Sequence, residues 1–206
     1  MHVIVGDTRA STIVEFIKRE GWGRMYVERS IRLYEGEKWG FDNGAYIDWK
    51  NEDEFDGDRF LRRLDIAYAY PIPCLAVVPD IVGGGANSLE FSEGWIERLP
   101  KEWPWYLAVQ DGMEGDVVEQ VLGRYSGIFL GGTNAFKATA AFWCEMAHRH
   151  GISFHYARAG TTRKVIHAKS IGADSLDSAF PLWNKDRLAW FAEIVNEGHP
   201  QVDLFV

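Results

Sequence analysis

Cysteine is scarce in this chain of 206 residues, and Cys74 and Cys144 alone cannot build a disulfide framework. Both lie in apolar surroundings, so each reads as a buried, inert thiol. The same scarcity leaves no clustered ligand set for zinc, and no metal is expected. No apolar run approaches the roughly 18 residues that span a bilayer. No basic region or signal core precedes the strand-like opening "MHVIVG". No membrane partner is therefore expected, and the expected location is the cytoplasm, or the host cytoplasm if the source is viral. Positive charge is also short. With 22 Lys and Arg against 30 Asp and Glu, the net charge is −8, which argues against a protein that wraps nucleic acid through phosphates alone. Neither a P-loop nor a G-x-G-x-x-G after a strand occurs, so no cofactor is expected. Linkers and low-complexity tracts are missing. The acidic stretch "KNEDEFDGD" (50–58) is too short to separate domains, and 1–206 reads as one domain.

What the chain does contain is a regular alternation. Apolar runs recur at "HVIVG" (2–6), "MYVE" (25–28), "WGFDNG" (39–44), "CLAVVPD" (74–80), "YLAVQD" (106–111), "GIFLGG" (127–132), "SFHYAR" (153–158) and "DSLDSAF" (174–180). Continuous apolar runs suit parallel strands buried on both faces. Helical patterns lie between most of them. "STIVEFIKREG" has Ser11 or Thr12 as its cap and Gly21 as its stop. "NAFKATAAFWCEMAHRHG" reads as one helix ending at Gly151, and "TTRKVIHAKSIG" runs from a Thr161 or Thr162 cap to Gly172. Eight strands alternating with helices predict a compact α/β (β/α)8 TIM-type barrel, with a doubly wound open sheet as the competitor.

Several strands end on a polar residue: Asp42, Asp80, Gln110, the pair Gly131 and Gly132, and Asp177. In a barrel these ends converge on one face, where loops carry the chemistry. A single strand-terminal Asp is usually a turn former or helix cap; the recurrence is what points to a site. Two carboxylates over one pocket suit double displacement at an acetal-like carbon, one as nucleophile and one as proton carrier, about 5–5.5 Å apart in a retaining site. A carboxylate, a carboxamide and glycine amides can also read the edge of a planar heterocycle.

In order, "FDNGAY", "VVPDIV", "LAVQDG", "FLGGT" and "GADSLDSAFP" resemble the landmarks of the tRNA-guanine transglycosylase superfamily. "FDNGA", "GGT" followed by "FK", and "HYAR" are most similar to its DNA-directed branch, the 7-deazaguanine DNA transglycosylases of phages and bacteria. The resemblance spans roughly 39–181. It implies a TIM barrel that exchanges guanine for a preQ0-like base through a covalent aspartyl–sugar intermediate. It also implies Asp177 as the nucleophile, Asp42 as the proton-handling aspartate, and Asp80 as the acceptor for the guanine N1–H and amine. Gln110 would meet the purine carbonyl edge, with Gly131 and Gly132 as backbone donors and Asn43 beside them. Asp174 is the rival nucleophile. The tRNA enzymes carry a zinc-binding C-terminal subdomain after the nucleophile; it has no counterpart here, which favours DNA over tRNA, with a homodimer or partner subunit as a further expectation.

Around the same mouth, Lys137, Arg163 and Lys164 read as phosphate contacts, Lys137 and Lys164 also as ordinary solvated helix residues. His155 and Arg158 read as substrate contacts, His155 also as a hydrogen-bonded core residue. Met113 reads as a cover for a bound base or as packing, and "IVGGGANS" (81–88) as a lid or a simple turn. Three other functions use parts of the same set: a retaining nucleosidase or glycosidase, a non-catalytic module that stacks single-stranded bases, and a phosphate-binding barrel built on "FLGGT".

Overall fold

A computed structural model of the chain describes residues 1–27 and 31–196. Eight parallel strands close into a barrel in sequence order: β1 (His2–Gly6), β2 (Gly23–Tyr26), β3 (Gly40–Phe41), β4 (Leu75–Val77), β5 (Trp105–Val109), β6 (Gly127–Leu130), β7 (Ser153–Tyr156) and β8 (Ser175–Ser178). The helices are α1 (Ser11–Arg19), α2 (Ala45–Lys50), α3 (Gly57–Ala67), α4 (Ala86–Ile96), α5 (Gly115–Glu119), α6 (Asn134–Lys137), α7 (Ala140–Arg149), α8 (Thr162–Ser170) and α9 (Lys185–Asn196). This is the (β/α)8 architecture, and the open sheet is ruled out by closure of β1 on β8, with Ile4 beside Asp177.

The two-residue strand period divides the side chains between two cores. Ile4, Met25, Leu75, Val77, Tyr106 and Ala108 fill the barrel interior. Their alternate neighbours, such as Val3, Leu107, Ile128 and Leu176, join the larger core between strands and helices. Tyr106 fits inside because Gly127 faces it: a Cβ at 127 would lie 2.3 Å from the tyrosine ring. Trp39, Phe41, Phe60 and Trp103 brace α3 against β3. Among the described residues, no helix is long and apolar enough to cross a membrane.

Three local expectations need correction. β2 begins two residues earlier than predicted, and residue 28 lies outside the described residues. The α1 cap is Ala10, without a side-chain hydrogen bond, and Ser11 is already helical. The helix predicted over 134–151 is two, α6 and α7, broken at Ala138 and Thr139. The break has a cause: the Thr139 hydroxyl donates to the Phe136 carbonyl at 2.7 Å, and Lys137 turns inward instead of out to solvent. The predicted stops at Gly21, Gly151 and Gly172 all have positive φ, and the Thr161 side chain caps α8 by accepting from the Lys164 N–H.

Candidate functional site

The C-terminal ends of β3, β4, β7 and β8 bring Asp42, Asp80, Arg158 and Asp177 to one mouth. Their proximity is visible in their electrostatics. The Asp42 carboxyl is raised from its ordinary range first by burial and then by the charge on Asp177, opposed by the Gly44 N–H and the Arg63 and Arg158 guanidiniums. Asp80 is pushed up to about 6, mainly by burial and also by Asp42, while the Asn43 amide and Arg158 work against the rise. The two carboxylates distant along the chain therefore do share one space.

Asp177 is held by two donors. Its Oδ1 accepts from the Arg158 backbone N–H at 3.0 Å and from His155 Nε2 at 3.0 Å. His155 Nδ1 meets the Ser175 hydroxyl at 2.8 Å, and because a carboxylate only accepts, Nε2 is the donor facing Asp177. The imidazole stacks flat on Phe129, 4.8 Å away, wholly inside the barrel. His155 is thus the hydrogen-bonded core residue of the two readings, and it positions Asp177 without reaching solvent. Among the described residues, Asp177 Oδ2 has no hydrogen-bond partner.

Asp42 forms a turn with its own loop, its Oδ1 accepting from the Gly44 N–H at 2.7 Å. Arg63 of α3 grips the outside of this loop, donating to the Asp42 carbonyl at 2.8 Å and the Asn43 carbonyl at 3.2 Å. Nothing in the local sequence marks Arg63; only the packing of α3 across β3 brings it there. Asn43 is buried and fully engaged. Its amide donates to Asp80 Oδ1 and the Val78 carbonyl, each at 2.7 Å, and its oxygen accepts from the Ala45 N–H. It supports Asp80.

Four further residues of the expected site are engaged within the protein itself. Gln110 anchors the 81–88 loop: its oxygen accepts from the Gly83 N–H at 2.5 Å, and its amide donates to Ile81 and Ser88. A purine edge would have to displace those bonds, and the loop is fastened down and so is not a free lid. The Gly131 N–H donates to the Val109 carbonyl at 2.9 Å, so of the two glycines only Gly132 keeps an N–H without a partner among the described residues. Met113 packs in the outer core. Lys137 is 3% exposed and donates to the Leu130 carbonyl at 2.8 Å and the Ala157 carbonyl at 2.6 Å. It is neither a rim cation nor a solvated helix residue, because those two carbonyls draw it between the ends of β6 and β7. Burial lowers its amine to about 7; Asp177 opposes the shift, and Arg158 and Lys164 reinforce it.

Asp174 is removed as a rival. It precedes β8 at the opposite end of the barrel, where its Oδ2 accepts from the Phe154 N–H at 2.7 Å and pairs with His148 at 2.9 Å. Cys144 lies beneath this pair, but its thiol is buried, pushed up to about 11 and directed at the Ile171 carbonyl, so the Cys–His–Asp grouping is structural.

Arg158 is the junction of the mouth. Its φ of 52° is rare for a residue with a side chain. That backbone turns its N–H onto Asp177, its guanidinium donates to the Gly132 carbonyl at 3.1 Å, and the same cation sits 4.7 Å over Tyr46. Tyr46 in turn stacks on Trp49. Neither Tyr46 nor Asp111 carries a local signal that singles it out. Asp111 fixes the glycine loop by accepting from the Thr133 N–H at 2.7 Å and hydroxyl at 2.6 Å. Arg163 and Lys164 lie in the first turn of α8 on the mouth side, Arg163 exposed and Lys164 half-buried. Among the described residues, no group of three His, Cys, Asp or Glu side chains could hold a metal ion.

No family model and no curated protein sequence matches the chain. Among solved structures, the chain is similar to RipC from Yersinia pestis, with a TM-score of 0.55 at 10% identity, covering 98% of this chain and 96% of that one. At that identity the likeness supports the fold alone. A second similarity, to the GsuK channel, has a TM-score of 0.30 at 15% identity over 94% of this chain and 69% of that chain, too low to bear on either fold or function.

Proposed function

We propose that the protein exchanges guanine in nucleic acid, DNA in preference to tRNA, for a free 7-deazaguanine base of the preQ0 type. The observation that supports this reading best is the pairing of Asp177 and Asp42 at one mouth, with their charges coupled and different surroundings for each. The order of the sequence landmarks supplies the substrate class.

In this mechanism Asp177 Oδ2 attacks the sugar C1′, forming an ester-like O–C1′ bond as the C1′–N9 bond breaks. Its Oδ1 stays fixed by His155 and Arg158, so the attacking oxygen has one orientation. Asp42, with its carboxyl raised, gives its proton to the departing purine. The incoming deazaguanine then returns a proton to Asp42, attacks C1′ and expels Asp177, so atoms and charge balance without an external energy source. Asp80 accepts from the base N1–H and exocyclic amine, and the Gly132 N–H is the remaining backbone donor. Because a stacked base cannot enter, the nucleotide is extruded or already unpaired.

The test is incubation with labelled guanine and preQ0 against duplex DNA, single-stranded DNA and tRNA. Label should enter DNA with the wild-type protein, and Asp177→Asn, whose amide oxygen can still accept from His155 and Arg158, should abolish both incorporation and any protein–nucleic acid adduct while leaving thermal stability near wild type. Full incorporation by that variant would refute the mechanism, and abasic sugars in place of modified polymer would indicate a hydrolase.

A further inference from the structure

Lys137 is a buried cation that the chemistry above does not use. Its amine lies 4.9 Å from the Tyr156 ring and donates to the Leu130 and Ala157 carbonyls. The charged groups that act on it are Asp177, Arg158 and Lys164, and His155 is the other titratable group on Asp177. A cation withdrawn from water is costly unless it is paired, and of those three charged neighbours only Asp177 has the opposite sign. The Ala157 carbonyl and the Arg158 N–H are the two ends of one planar trans peptide, pointing in opposite directions. The oxygen accepts from Lys137 at 2.6 Å, and the N–H donates to Asp177 Oδ1 at 3.0 Å. One peptide group therefore joins the buried cation to the carboxylate. The following N–H, of Ala159, donates to the Asp177 main-chain carbonyl at 2.7 Å. Between these two fixed peptides Arg158 keeps its φ of 52°, a conformation that persists only where the surroundings hold it.

We propose that Lys137 is a positioning residue for Asp177, acting through the peptide shared by Ala157 and Arg158, and that its charge favours release of Asp177 from the sugar. The release step rests on the base-exchange reading; the linkage through the peptide does not. Hydrogen bonds in series polarise one another, so a cation on the carbonyl makes the N–H at the other end a stronger donor. A stronger donor stabilises the carboxylate of Asp177 more than the uncharged ester. Attack on C1′ forms the O–C1′ bond and consumes that carboxylate; attack by the incoming base breaks the bond and restores it. Charged Lys137 thus shifts the balance toward free enzyme, and neutral Lys137 toward the adduct. Burial brings the amine down to about 7, so its charge is lost near neutrality. The neutral amine still has two hydrogens for its two carbonyls, so the charge can leave without freeing the peptide.

The experiment has two arms. In ligand-free wild-type protein, the Lys137 side-chain carbon and the Arg158 amide are followed by NMR as the pH crosses 7. Both resonances should move with one midpoint, and the Arg158 step should vanish in Lys137→Met. Separate midpoints, or a step that survives in Lys137→Met because His155 produces it, would overturn the proposal. In the second arm, wild type and Lys137→Met are incubated with a guanine-containing single-stranded oligodeoxynucleotide and no added base, and covalent adduct is resolved on a denaturing gel. Below pH 7 Lys137→Met should hold severalfold more adduct than wild type, and well above it the two should agree. A lysine that only supports the fold would instead lower the variant's adduct at every pH, and that result would also overturn the proposal. Should Lys137→Met fail to fold, the shared midpoint in wild type still decides. Linked resonances with no adduct from wild type would remove the base-exchange reading and leave the linkage standing; adduct with unlinked resonances would do the reverse.

Discussion

At the scale of single residues, the mouth is built from groups that hold one another in less common states. Lys137 illustrates how much such a residue hides from sequence inspection. On a helical wheel it is an ordinary solvated lysine, yet its amine joins the last carbonyls of two neighbouring strands. Lys137→Met should remove both bonds, leave Leu130 with only the Ala157 N–H and the Ala157 carbonyl without its lysine donor, and lower stability by about 1–3 kcal/mol, read by thermal denaturation. Because Ala157 precedes Arg158, the same variant should also loosen the N–H that fixes Asp177 and lower exchange further than the stability loss explains. The strand-end aspartates were legible because a carboxylate after an apolar run is chemically conspicuous. The contacts of their supporters, Asn43, Gln110 and Arg63, were not legible, since sequence gives a polar side chain but not which way it faces.

At the scale of elements, all eight strands were readable from apolar runs, while their exact limits were not. β3 shows why: "WGFDNG" looks like a six-residue strand, but only Gly40 and Phe41 pair, because Asp42 and Asn43 already turn toward the site. The split of α6 from α7 was invisible for a similar reason, since it depends on where a buried amine finds its acceptors. The β6–α6 loop gives a sharper test of element geometry. Gly132 has φ of 72°, and a Cβ there would lie 2.6 Å from Asp111 Oδ2 and 2.8 Å from the Phe136 ring. Gly132→Ala should therefore detach the loop from Asp111, cost about 1–3 kcal/mol and weaken binding of free deazaguanine, measured by calorimetry. Thr133→Val, which removes the hydroxyl bond to Asp111 and the α6 cap that the same oxygen makes by accepting from the Phe136 N–H, should cost about 1–2 kcal/mol.

For the whole molecule, the burial of acidic groups at the mouth gives a definite pH dependence. Burial pushes the Asp80 carboxyl up to about 6 in the folded chain, against an ordinary value of 3.8. Between those two values the folded state binds more protons than the unfolded one, so the Asp80 contribution weakens stability as pH rises through the window. Above pH 6 the full penalty is present, on the order of 2–3 kcal/mol. Asp80→Asn should consequently be more stable than wild type at pH 7.5 and nearly equal to it at pH 4, by denaturant titration at each pH, while binding guanine poorly. Opposite ordering, with the variant weaker at pH 7.5, would mean that Asp80 is stabilised by partners beyond those described.

The barrel keeps its acid pair and its foundation at opposite poles. His148 and Asp174 clasp the lower rim, about 10 Å of strand below Asp177. Combined substitutions drawn from the two poles should thus add within about 0.3–0.5 kcal/mol. An engineer could reinforce the base of this protein first, and then rework its upper loops on a sturdier platform without retuning either change to the other.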